Sequence, residues 1–557
     1  MITSYRPVGV RVARATVLLV LLVLACTWLP ATAHDTGPPT TPPVALDPGL
    51  GLLHHPVSTR NAKAQAYFDQ GLKLVFAFNH EAAIQSFERA AQLDPNLAMA
   101  YWGIALALGP NINHPMDAEA HKAAYTALQK ATVLAPKASV ADQAYIDALS
   151  KRYSASGDAD VMALQIAYKD AMKALVQRYP NDNDAAVLYA ESLMDLNPWK
   201  YWQPDGMPAE GTLEIVAVLE HVLTRQPTHI GANHYYIHAV EASTHPEKAL
   251  ASAKRLETLA PSAGHLVHMP AHTYIRTGNY LDAARVNRDA ARADERLAKA
   301  GSPAPFYLIG YYGHNLHFLA ISNAFAGNSS GAIAAANKLY DVEAPRIKEV
   351  PFVDPFLFTP ALMLVQFGRW DDVLALPEPA FEAPISTAIW HLARALAFAG
   401  KGRIEDAQAE RAKFIDAAGT LTKTMEYGNN DAAALAAVAR PYLDGRLAMM
   451  AGDNAGAIAF LQQAVTAEDA LAYDEPPGWY LPSRNALGVA LVRAGDFAAA
   501  EQVFREELVV HPESGRALFG LRTALFGQGR DKDAAALDQR IRRAWRGADV
   551  ELSVAAM

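Results

Sequence analysis

The sequence predicts an all-α fold, a solenoid of antiparallel helix pairs, and three observations carry that prediction. Small residues, aromatics and prolines return in a fixed frame at a spacing of about 34 residues. Within each segment the apolar residues follow the helical period, and Gly or Pro marks the joints. No stretch alternates apolar and polar residues for long enough to build a sheet. Composition agrees: 51% hydrophobic and 19% charged residues over 557 positions exclude a disordered chain and exceed what one compact core accommodates.

The first element is a leader. Arg6, Arg11 and Arg14 precede the apolar run Ala15 to Leu29, and Pro30-Ala31-Thr32-Ala33 follows, so residues 1–33 read as a signal peptide. Two other readings stay open. One is an uncleaved anchor, although the apolar run is short for a bilayer. The other is a lipoprotein anchored at Cys26, because Val23-Leu24-Ala25-Cys26 resembles a lipobox. Each places the body of the protein outside the cytoplasm, periplasmic or secreted, and with Cys26 the only cysteine it has no disulfide. Residues 34–59, with Pro38-Pro39 and Pro42-Pro43, are expected to form a flexible tail. Cleavage after Ala33 would expose His34 as an amino-terminal chelator. No later run of 18 apolar residues follows, so no membrane span is expected in the mature chain.

The repeats come next. In a unit starting at Ala64, residues Tyr67, Gly71, Ala83, Phe87, Ala90 and Pro95 fall at positions 4, 8, 20, 24, 27 and 32. From Leu481, residues Gly488, Ala500, Phe504 and Pro512 repeat positions 8, 20, 24 and 32. Other units start at Ile230, Gly264, Gly313, Ala388, Val438 and Gly515. This is the tetratricopeptide-repeat (TPR) pattern, and it makes the fold a right-handed TPR-like α-solenoid. Residues 60–229 combine a first repeat with irregular helices expected at 117–134, 140–153, 160–179 and 185–195. Residues 230–345 are histidine-rich repeats, and 346–557 are C-terminal repeats. Two loops, 197–202 and 474–480, are rich in aromatics and turn formers, and insertions of this kind tend to cover the binding face of a solenoid.

Four segments, Phe78 to Ala83, Tyr101 to Asn111, His265 to Arg276 and Tyr473 to Trp479, resemble a largely uncharacterised family of bacterial exported TPR proteins with histidine-rich repeat helices. The resemblance spans nearly the whole mature chain. It implies export and a helical-repeat fold, and it brings no mechanism.

The histidines carry the chemistry. The units from Ile230 and Gly264 abut, so His234 and His268 share position 5, while His238 and His272 share position 9. His265 and His314 share position 2, and His317 joins position 5. At about 100° per residue these positions form one stripe on the first helix of each pair, with Glu241 on it at position 12 and Glu191 on the preceding helix. The stripe is expected to face solvent in the concave groove. His234/His238 and His268/His272 are i, i+4 pairs able to grip one ion, and packed helices about 8–10 Å apart let facing imidazoles close around it. His54, His55 and His114 are further candidates to reach the groove, whereas His221, His391 and His511 read as ordinary hydrogen-bonded residues. Tyr235, Tyr236, Tyr274, Tyr311 and Tyr312 are placed to support the site or to pack.

A nitrogen set without thiolate suits a transition metal, copper first and then iron or zinc, and excludes a cysteine-rich zinc site. Affinity is expected to fall below the imidazole reference of about 6.5, where the ligands protonate. The expected function is a copper- or iron-dependent oxidoreductase acting on a small molecule or peptide in the groove. A zinc hydrolase with Glu241 or Glu191 as base, or a protein-binding or metal-buffering scaffold, is the alternative. A net charge of −9, more acidic once the leader's three arginines are removed, excludes nucleic acid as a partner.

Overall fold

The computed structural model describes residues 44–156, 159–300, 307–380 and 382–554. The leader, Cys26, His34 and residues 34–43 of the tail lie outside them. Among the described residues no helix is long and apolar enough to cross a membrane.

The repeat frame has a direct physical counterpart. The helix Ala62–Val75 packs on His80–Leu93, which packs on Ala98–Ala107. Phe87, at position 24, sits between the glycines of its two neighbours. A Cβ on Gly71 or on Gly103 would come within 2.5 Å of its ring. The far end of the chain repeats the arrangement, with Gly488 and Gly520 closing on Phe504 at 2.4 and 2.2 Å from the same imagined Cβ. Glycine at position 8 therefore records a helix crossing too close for any side chain. In between, Ile230–Val240, Tyr280–Lys299, Gly313–Phe325, Ser329–Glu343, Pro384–Gly400, Ile404–Ala418, Ala432–Met450 and Asn454–Asp469 continue the antiparallel pairing. The fold is an all-α helical repeat.

The irregular helices also appear where the sequence placed them, as Ala118–Leu134, Val140–Leu149, Val161–Arg178 and Asn183–Met194. Their starts are fixed by side chains that accept from otherwise unpaired backbone N–H groups: Asp117 from Ala120, Ser139 from Asp142, Asp160 from Ala163 and Asp182 from Ala185. Each such cap contributes about 1 kcal/mol.

The flexible-tail expectation fails for residues 44–59. Asp47 N donates to Gln70, Ser262 N donates to the Gly49 carbonyl at 3.0 Å, and Ser58 N donates to Asp142. His54 and His55 bond Asp69 and Asp184, and Leu50 is buried. Proline-rich composition predicts extension, but these polar partners and an apolar anchor hold the segment against the first and middle repeats.

Two features aim the histidine helices. Pro270 has no N–H to offer the Leu266 carbonyl, so the helix breaks at Met269 into Gly264–His268 and Pro270–Arg276. The third histidine helix begins with a wide π-helical turn, Leu308–Tyr312, before Gly313–Phe325. The C-terminal repeats return to the middle ones. Tyr280 Oη donates to the Pro512 carbonyl, Arg516 donates to the carbonyls of Ala324 and Gln366, and Asp549 accepts from Ser329 N and Ser330 N. A short hairpin, Glu426–Tyr427 with Asn430–Asp431, is tied to the 474–480 loop through Asn429 N and Asp474.

Candidate metal centre

Six of the seven stripe histidines come together in two triads. His234, His238 and His265 form one, and His268, His272 and His314 the other; in each, one ligand atom per residue lies within 4.8 Å of the others. The seventh, His317, stands apart, its Nε2 2.6 Å from the Tyr480 hydroxyl.

The stripe does not face solvent. His234 and His268 are 0% exposed and His238, His265 and His272 are 1% exposed, while His314 is half-buried. The solenoid interior is roofed at this point. Phe78 stacks over His238 and His265 and meets His234 edge-on at 4.5 Å, and Trp199 packs edge-on against His238 at 5.5 Å. Phe78 and Trp199 both hold positive φ, 55° and 63°, a conformation costly for bulky residues, and two of the three non-glycine residues with positive φ among the described residues are thus aromatics that seal the cluster.

Burial, reinforced for most of them by the neighbouring imidazoles, disfavours the cationic form of every member. His238 and His317 are pushed down to about 3 and His314 to about 4, and His234, His265, His268 and His272 lie well below the ordinary histidine range. These rings are neutral near pH 7, the state a metal ligand requires.

The rings are also oriented from behind. His234 Nδ1 lies 2.7 Å from the Phe76 carbonyl, which can only accept, so the proton sits on Nδ1 and Nε2 carries a lone pair. The Asn287 amide nitrogen is committed to the Ala283 carbonyl, which leaves Asn287 Oδ1 to accept from His268 Nδ1 at 2.6 Å. When ionised, Glu241 spans two rings, accepting from His238 Nδ1 at 2.9 Å and His272 Nδ1 at 2.6 Å. Four Nε2 lone pairs are thus turned inward. Those of His268 and His272 face each other at 2.7 Å, and His265 Nε2 lies 3.1 Å from His234 Nε2. His238 Nε2 is buried without a hydrogen-bond partner. The facing lone pairs of His268 and His272 repel unless a cation shares them, and a ring held by carboxylate or carbonyl at Nδ1 is the usual posture of a metal-ligating histidine. Burial raises Glu241 well above the carboxylate range, opposed by Arg276, so a cation in front of the imidazoles would favour its ionised form.

A cavity of about 470 Å³ opens directly onto His238, His265, His272 and His314. His114 lines it, as does Tyr311 among the five tyrosines. Tyr236, Tyr274 and Tyr312 instead bond Glu220, Glu257 and Glu295, and Tyr235 is packed among rings. His54 and His55 do not reach it. Glu191 belongs to a different buried group, beside Asp195 and Arg152, where burial pushes it up to about 8. Glu475 has no place in the stripe pattern, yet its Oε2 lies 3.1 Å from His272 Nδ1. That contact is an ion-pair distance rather than a hydrogen bond, because the His272 proton points at Glu241. Glu475 stands in the loop whose composition had marked it as a cover for the binding face. The residue type was visible, but its distance from the histidines in sequence hid the contact.

No protein-family model matches the chain, and no curated protein matches it. Among solved structures it is similar to yeast Tom70, with 11% identity and a TM-score of 0.31 over 88% of this chain and 93% of that one. It is also similar to a human IFIT1 dimer with m7Gppp-AAAA, with 12% identity and a TM-score of 0.31 over 88% and 91%. Superpositions this loose carry no argument about the chain, and its helical-repeat class stands on its own helix pairs.

Proposed function

We propose that this protein is an exported bacterial metalloprotein whose two histidine triads hold one or two transition-metal ions, copper before iron. In this reading it acts as an oxidoreductase on a small molecule admitted to the adjoining cavity. The supporting observation is the inward array of Nε2 lone pairs, each held there by an acceptor at Nδ1. An all-imidazole set ranks copper highest among the divalent ions and offers nothing to magnesium or calcium.

The roles of the residues follow from their contacts. The imidazoles bind, and Glu241, Asn287 and the Phe76 carbonyl fix their tautomers. Phe78 and Trp199 exclude water from one side of the cluster and leave the cavity as the approach. Glu241 is a positioning residue here, since both its oxygens are engaged behind the rings. A redox-active ion would supply electron transfer to or from the cavity's occupant.

Glu475 favours a second reading, a zinc-dependent hydrolase. Its carboxyl group stands in the cavity wall without a hydrogen-bond donor, its pKa raised by burial and by Glu241. In its ionised form it is placed to take a proton from water, which neither Glu241 nor Glu191 is. A non-catalytic protein-binding or metal-buffering scaffold is the third. Metal analysis of untagged protein separates them. Copper or iron near stoichiometry supports the first reading and zinc the second, and protein that neither carries nor takes up a metal refutes both.

A further inference from the structure

The cavity over the histidines has walls of one chemical character. Six aromatic rings line it beside the imidazoles: Trp199, Tyr311, Phe352, Phe356, Tyr427 and Tyr480. Its acidic side chains are Glu426, exposed at the mouth, and Asp474 and Glu475, which burial pushes up, Asp474 to about 7. Among the described residues no lysine or arginine lines it. Arg276, which acts electrostatically on Glu475, is committed elsewhere, donating to the carbonyls of Glu241 and Ser243 with its guanidinium 5.5 Å from the Tyr473 ring.

We infer that the occupant of this cavity is an uncharged or cationic molecule of about aromatic-ring size, and that carboxylates and phosphates are excluded. The inference rests on the cavity being the working site proposed above, but not on any metal being bound. An anion entering would surrender its hydration and find no lysine or arginine in return, while meeting the exposed Glu426 carboxylate at the mouth. A ring system would bury its faces against the aromatics, and an ammonium group would gain both their π-faces and the Glu426 carboxylate. The volume suits a small molecule better than a peptide segment, since sites for drug-sized ligands begin at about 300 Å³.

The test uses the full mature chain stripped of metal by chelator, with its fold checked by circular dichroism, so the outcome is independent of whether the metal reading stands. Benzylamine, benzyl alcohol, benzoate and phenyl phosphate are titrated by calorimetry and by ligand-observed NMR. Benzylamine and benzyl alcohol are expected to bind, with benzoate and phenyl phosphate weaker by about tenfold or more. Gly478→Leu checks the location. A Cβ at Gly478 would lie 3.5 Å from Tyr427, ordinary contact, so the side chain can enter the cavity without disturbing the backbone, and binding of both favoured probes should be lost. Glu426→Gln, at an exposed position on the mouth, should weaken benzylamine and leave benzyl alcohol unchanged. Benzoate or phenyl phosphate binding as tightly as benzylamine would overturn the inference, as would the failure of all four probes to bind or binding indifferent to Gly478→Leu.

Discussion

The histidine-rich repeats and the C-terminal repeats share one backbone plan and differ in what they place on it. In the unit from Gly264 the stripe positions 2, 5 and 9 carry His265, His268 and His272; in the unit from Leu481 they carry Pro482, Asn485 and Val489. The C-terminal region does contain buried or half-buried histidines. His391 and His511 each have one carboxylate of their own, Glu410 at 2.7 Å and Glu507 at 2.9 Å. Such a ring is complete with a single local partner. In the middle repeats the partner lies behind Nδ1, and Nε2 is aimed at another ring. The difference teaches that histidine count and burial do not make a metal centre. Convergence of lone pairs on one volume does.

Removing that convergence should have the largest effect. The double change His238→Ala and His272→Ala takes one ligand from each triad and leaves Glu241 buried without either donor. Metal affinity, read by competition with a chromophoric chelator, should fall by at least about 100-fold. Because these rings are buried, the variant should also lose about 2–5 kcal/mol of stability in denaturant melts. The control pair His391→Ala and His511→Ala should retain full metal content. Loss of metal in the control would erase the distinction between the two regions.

Glu241→Gln keeps the shape and removes the charge behind His238 and His272. It should weaken metal binding by about 10–100-fold, while Glu507→Gln, the equivalent change behind His511, should not alter it. Equal effects would show that the carboxylate does not act through the imidazoles.

Acid should act by a route the sequence does not suggest. A reference pKa of about 6.5 predicts metal loss by ligand protonation. In the folded protein burial drives these rings far lower, to about 3 for His238 and about 4 for His314, so the ligands stay neutral through pH 5. The unfolded chain binds protons from about 6.5 downward while the native chain does not. Stability of the metal-free protein should therefore decline as pH falls below that value, by up to about 1.4 kcal/mol per unit for each ring. Metal should be retained until the protein unfolds. Gradual metal loss between pH 7.5 and 5 from protein that keeps its circular dichroism spectrum would contradict this burial.

The smallest effect belongs to the N-terminal arm, whose ion pair has the opposite sense. Burial alone would raise Asp184, but the bonds from His229 and His55 outweigh it and hold the carboxyl well below its ordinary range, while His55 is raised in spite of its burial. The depressed acid stabilises above about pH 4 and the raised histidine below about pH 6.5, so the pair contributes fully between these values. Asp184→Asn should cost about 2 kcal/mol in that window, less at pH 8, and leave metal affinity unchanged. An Asp184→Asn variant as stable as the parent at pH 5.5 would show that the arm is not held by this pair.

The sequence by itself determined the helical class, the repeat frame and the stripe. Gly71 with Phe87 and Gly488 with Phe504 are legible because the frame repeats locally and each crossing involves one or two neighbouring units. Asp117 and Asp160 are legible because capping is settled within four residues. The histidines share that legibility, since helical periodicity alone puts seven imidazoles on adjoining faces, six of which the structure brings together. Tertiary structure decided the rest. The burial of the stripe, the Phe76 carbonyl behind His234, the strained Trp199 against His238 and the approach of Glu475 to His272 all join residues 39 to 203 positions apart. No local period encodes such contacts. They depend on how far the array of helix pairs turns as it is traversed, a sum of small crossing angles that individual repeat sequences do not specify. That summed curvature brings the C-terminal loops over the middle repeats and turns an open groove into a walled cavity with a mouth.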